Sequence, residues 1–153
     1  MKPIGIVTIT IFLVLPLLLS AERLAYRLPE NTAPTLYKLY LNPHIENENF
    51  TFDGNSSTSF KVLEPTDTIV VHTSNCIDVD EDYTKVICSN GTVRKPVSQD
   101  WDSATQLLKL KFESILPVAE YTIEFKWSGI ESPDDERIPS GFRRRLVDIN
   151  GTS

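Results

Sequence analysis

Leu63-Glu64-Pro65-Thr66-Asp67-Thr68-Ile69-Val70-Val71-His72-Thr73 joins two strand-like runs through a turn. Pro65 fixes φ, and the Thr and Asp neighbours hydrogen-bond readily to nearby backbone, so Glu64 to Asp67 reads as the turn. Ile69, Val70 and Val71 follow without a polar break. Three β-branched residues in a row favour a strand, and the unbroken run predicts one buried on both sides. The segments before and after must pair with this strand or pack on it.

Working outward, the same period recurs. Leu108, Leu110 and Phe112 alternate with Lys109 and Lys111. Tyr121, Ile123, Phe125 and Trp127 alternate with Thr122, Glu124, Lys126 and Ser128. Each run predicts a strand with one buried and one wet face. Leu36 to Leu41 is apolar on both faces, which predicts a strand covered on each side. Phe50-Thr51-Phe52 alternates briefly and stops at Asp53-Gly54, a turn signal, and Asn90-Gly91 is another. Thr73 to Val79 and Thr84 to Ser89 read as short strands around an acidic loop. No sustained 3.6-residue period occurs, and ten prolines argue against long helices. The expectation is all-β: an antiparallel sandwich of seven or eight short strands.

The N-terminus carries a different signal. Lys2 precedes Ile4 to Leu19, an apolar run too short for a membrane-spanning helix. Ser20 and Ala21 are small, as a signal peptidase requires, so residues 1–21 read as a signal peptide cut near Ala21. The alternative is an uncleaved anchor that holds the chain at a membrane. Residues 22–153 then form one domain, with secretion as the expected destination. Without residues 1–21 the chain keeps 14 Lys/Arg against 21 Asp/Glu, a net charge of −7. That balance argues against nucleic acid as a partner.

In a secretory context, Cys76 and Cys88 read as a disulfide across a loop or hairpin, with two free structural thiols as the alternative. Asn49, Asn55, Asn90 and Asn150 each begin an Asn-x-Ser/Thr sequon, more than this composition gives by chance. They are expected to be glycosylated and to lie on exposed loops.

Chemistry-bearing patterns are few. Asp78, Asp80 and Asp82 imitate the first ligands of an EF-hand loop. Tyr83 stands where its glycine belongs and Ser89 where its bidentate Glu belongs, so a solvated loop is the expectation. His44 and His72 are the two histidines, and no His-Glu-x-x-His run exists. No Gly-x-Ser-x-Gly and no glycine-rich phosphate loop occurs. Arg143-Arg144-Arg145 is a basic cluster that reads as a solvated edge or as a pairing partner for Asp134-Asp135-Glu136. No catalytic residue, metal ligand or cofactor site is expected in this chain.

The order of landmarks nevertheless resembles a known family. Tyr26-Arg27-Leu28-Pro29, then Tyr37-x-Leu39-x-Leu41-x-Pro43, is similar to the start of the aminopeptidase N-like zinc aminopeptidases. Phe50-Thr51-Phe52-Asp53-Gly54 and Glu64 to His72 resemble the next two landmarks. Leu116-x4-Tyr121-x3-Phe125-x3-Gly129, followed by Gly141-Phe142-Arg143, resembles two later ones. The chain departs from the pattern at Gly141-Phe142-Arg143-Arg144-Arg145-Leu146, where the family places a second aromatic and small residues after Gly-Phe. The resemblance implies a saddle-shaped N-terminal β-domain lacking its last strands, and therefore an open sheet edge prone to self-association. It implies a catalytic domain as partner if the chain is part of a longer one. The family's zinc ligands and substrate loop match no position here.

Overall fold

The computed structural model describes residues 26–46 and 50–131. Within them the chain forms nine strands: β1 (Thr32–His44), β2 (Thr51–Val62), β3 (Thr66–His72), β4 (Ile77–Val79), β5 (Lys85–Cys88), β6 (Val93–Arg94), β7 (Ser98–Asp102), β8 (Leu107–Leu116) and β9 (Glu120–Ile130). All pairings are antiparallel. A six-stranded sheet runs β1-β2-β9-β5-β6, with β4 also on β9, and a three-stranded sheet runs β3-β8-β7.

The core lies between the two sheets. Phe60 and Val62 of β2, Val86 of β5 and Tyr121, Ile123 and Phe125 of β9 face Ile69 of β3 and Leu108, Leu110, Phe112 and Leu116 of β8. The alternation of β8 and β9 therefore points as expected: apolar residues inward, Lys109, Lys111 and Lys126 outward. Phe60 stacks on Tyr121 at 5.7 Å between ring centroids, and the Tyr121 hydroxyl donates to the Pro117 carbonyl at 2.9 Å.

Four expectations are corrected. The first concerns Ile69, Val70 and Val71, which form β3 at the edge of the smaller sheet rather than a centrally buried strand. Ile69 is buried and Val71 packs on the core, while Val70 is half exposed on the other face. Secondly, β1 is paired only by β2 among the described residues, and its apolar side chains are exposed.

The third correction is at Asp53-Gly54, which makes no turn: β2 runs straight through it. Gly54 stands opposite Trp127, and a Cβ there would strike the indole and the Tyr40 carbonyl. Gly129 stands opposite Phe52, whose ring occupies the space a Cβ would need. Two aromatic–glycine pairs thus sit side by side, with Phe52 and Trp127 edge to face at 5.8 Å. Glycine is needed here for close packing, not for a turn. By contrast, Asn90-Gly91 does form the β5–β6 turn: Gly91 has φ 84°, and the Cys88 N–H donates to the Thr92 carbonyl.

Finally, Cys76 and Cys88 are free thiols, not a disulfide. The segment between them never turns back. Both β4 and β5 run antiparallel to β9 along the same flank, Ile77 opposite Gly129 and Cys88 opposite Tyr121. The acidic loop is a bulge in this interrupted strand, closed by the Thr84 N–H and hydroxyl on the Asp80 carbonyl and by the Tyr83 N–H on the Asp80 carboxylate. Cys76 is beside Ile130 and Cys88 opposite Tyr121, nine positions apart on β9, which sets the cysteines roughly 30 Å apart at strand rise. A disulfide needs Cα atoms within about 7 Å.

Candidate functional site

The larger sheet overhangs the smaller one. Beneath β1 and β2 no further strand extends past β3 among the described residues, so an apolar cleft of about 630 Å³ opens there. Tyr37 of β1 and Ser56 and Thr58 of β2 roof it, Ile69 and Val71 of β3 form its inner wall, and Trp127 closes the back. Direct opposition in register explains the roof: Tyr37 pairs with Thr58 and Leu39 with Ser56, so these side chains share one face. Small hydroxyl residues on β2 leave the room that larger ones would fill. His72 and Gln106 bring polar atoms to the lining. The cleft can accept an apolar side chain or chain segment. It offers no paired nucleophile and base.

Acid–base groups lie elsewhere. His44 Nε2 contacts the Asp53 carboxylate, which also accepts from Asn42 Nδ2 at 3.2 Å. The His44 hydrogen bond is the main reason the Asp53 carboxyl titrates below its usual range. Lys111 Nζ lies 2.6 Å from the Asp67 carboxylate and lowers its pKa in the same way, tying β8 to β3. Asp102 is lowered chiefly by the Thr105 hydroxyl and then by the Ala104 N–H, both holding the β7–β8 turn. All three carboxylates are structural clasps on the surface.

Of the sequence-derived sites, Asn90 lies exposed in the β5–β6 turn, whereas Asn55 lies exposed on the outer face of β2, a strand rather than the expected loop. Asn49, Asn150, residues 1–21 and Arg143-Arg144-Arg145 fall outside the described residues. Asp78 sits on β4 and Asp80 caps the bulge. Among the described residues, no three His, Cys, Asp or Glu side chains converge as a metal site, and no helix is long and apolar enough to cross a membrane. Sequence reasoning missed the cleft and the open face of β1. The signal was present in Leu36 to Leu41, whose two apolar faces fit an uncovered edge as well as a covered strand.

No family model matches the chain. Over 126 residues, 82% of its length, it is 25% identical to the puromycin-sensitive aminopeptidase of Caenorhabditis elegans. The chain spans only 12% of that protein. A match that fills most of this chain and so little of the relative fits one domain of an aminopeptidase.

Proposed function

We propose that the chain is the non-catalytic N-terminal β-domain of an aminopeptidase N-like zinc peptidase, entering the secretory pathway through residues 1–21. The supporting observation is the lopsided match: 82% of the chain, 12% of an aminopeptidase. The order of landmarks from Tyr26 to Gly129 and the all-β architecture support the same reading. In this role the domain acts as scaffold, and its partner is a catalytic domain in the same or an associated chain. Glycans on Asn90 and Asn55 would project from a turn and from the outer sheet face, clear of the core.

Zinc does not fit the donors present. His44 closes β1 in the larger sheet, His72 closes β3 in the smaller one, and the sequence lacks His-Glu-x-x-His. No step of peptide hydrolysis is therefore assigned to these residues.

The test is an assay of the purified chain with aminoacyl fluorophores, with and without zinc. Release at the buffer rate is expected. Zinc-dependent release that a chelator abolishes would overturn the reading. A second reading, a stand-alone extracellular module that binds a protein or glycan, draws on the open cleft beside β3. It is separated by melting the isolated chain: a monomer that melts cooperatively above about 65 °C, high for a mesophile domain, favours the complete module.

A further inference from the structure

The first strand presents an unusual surface. β1 stands at the end of the larger sheet, and its second edge has no strand on it among the described residues. Along it Leu36, Tyr37, Leu39, Tyr40 and Leu41 are 51%, 67%, 68%, 60% and 44% exposed. Natural edge strands are blunted by proline, irregularity or charge. Here Pro34 with the adjoining register shift guards one end and Pro43 the other. Between them the edge is open, with Lys38 as its one charge.

The distribution of these side chains selects the kind of partner. Tyr37, Leu39 and Leu41 share the cleft face with Thr58, Ser56 and Gly54, while Leu36 and Tyr40 share the outer face with Ser59 and Asn55. A body lying over one face leaves the other wet. A strand added to the edge supplies neighbours to both faces and bonds to the outward backbone groups.

We propose that this strand is β1 of a second copy of the chain, added antiparallel about a two-fold axis through Leu39. Symmetry restricts the choice of register. Centring on Lys38 would set two ammonium groups against each other. Centring on Leu39 sets Leu39 against its own copy, Tyr37 against the second copy's Leu41, and Lys38 against the second copy's Tyr40, where the ammonium meets a ring face. Leu36 then meets Asn42, and the pairing stops before either proline, so seven residues of each chain match without conflict. The five apolar side chains leave on the order of 500 Å² exposed in each copy, and full coverage of both, about 1,000 Å², just meets the minimum of a biological interface. The net charge of −6 opposes association while the edge carries no acidic residue, so dimerisation strengthens as salt screens the repulsion. None of this depends on the aminopeptidase-like reading.

The experiment is sedimentation equilibrium of the full chain up to about 100 µM, high enough to populate even a weak complex. A dimer is expected, with a dissociation constant that falls as salt rises. Leu39→Lys should raise that constant at least about 100-fold by placing two charges on the axis, with circular dichroism and melting unchanged at dilutions where both proteins are monomers, because Leu39 is exposed there. Leu39→Cys should form an intermolecular disulfide on mild oxidation that the wild type does not, since opposed Cα atoms lie about 5 Å apart. A monomer at the highest concentration would overturn the proposal. So would a dimer indifferent to Leu39→Lys, which would place association elsewhere, residues 1–21 included. A monomer whose β1 amides resist hydrogen exchange would overturn it too, by showing the edge covered by the chain itself.

Discussion

Trp127 on β9 stands directly opposite Gly54 on β2, and its indole fills the space that any side chain at position 54 would require. The backbone contact is equally close, because a Cβ at 54 would also press on the Tyr40 carbonyl of β1. Three neighbouring strands are thus locked by the absence of one methyl group. Gly54→Ala should cost about 1–3 kcal/mol, the range for overpacking a rigid site. Trp127→Leu in the same chain should recover part of it. Urea denaturation of the two single variants and the double measures the coupling, and strict additivity would contradict the contact.

Tyr121 gives a prediction at high pH. Burial raises its phenol above the ordinary value of 10.0, with the Cys88 thiol adding a smaller push and Arg94 opposing it. Because the folded pKa is the higher one, the associated stability is fully present below pH 10 and is lost as pH rises through the folded value. Alkaline unfolding should therefore accompany ionisation of this phenol. Tyr121→Phe should remove that component and cost about 1 kcal/mol at neutral pH through the lost bond to Pro117. Absorbance titration followed with circular dichroism measures both.

At the acid end the sign reverses. Asp67 has a folded pKa below 3.8, held there first by the Lys111 ammonium and then by the Thr68 hydroxyl. Its contribution is complete above pH 3.8 and disappears as pH falls through the lowered value. Asp67→Asn should flatten the loss of stability between about pH 4 and pH 2 and move the urea midpoint less at pH 2 than at pH 7. An unchanged acid limb would place the acid sensitivity on Asp53 and Asp102 instead.

The thiols are directly countable. A thiol reagent in denaturant should titrate two groups per chain, Cys76 and Cys88. In the native state Cys76 should react more slowly, since it is buried and Cys88 is half exposed. A reducing agent should leave the melting temperature where it was. A count of zero would require the β4–β5 flank to let go of β9.

What the sequence makes legible is whatever carries a period. Leu108 to Phe112 and Tyr121 to Trp127 alternate cleanly, and both strands lie as their alternation requires. Periodicity does not report how many neighbours a strand has. Leu36 to Leu41 and Ile69 to Val71 look equally buried as strings, yet both strands are edges among the described residues. Turn signals are ambiguous for a similar reason. Asn90-Gly91 and Asp53-Gly54 look alike in sequence, but one glycine supplies positive φ and the other supplies clearance for an indole. The cysteine spacing is silent about direction. Twelve positions can close a hairpin or carry a strand onward past a bulge, and only the shared partner β9 distinguishes them. The cleft was beyond reach because it opens where no described strand lies beyond β3 in the smaller sheet.

Among the described strands, β9 comes last in the chain but lies between β2 on one flank and β4 and β5 on the other. A growing polypeptide therefore cannot join the two halves of that sheet until Ile130 has been synthesised. Until then the β1–β2 hairpin and the β4–β6 region expose the edges that β9 will occupy, and only sequence-distant pairing can close them. The time between making Thr51 and making Ile130 is the interval in which this chain is most open to wrong strand partners, and any holding factor it meets during synthesis has its work there.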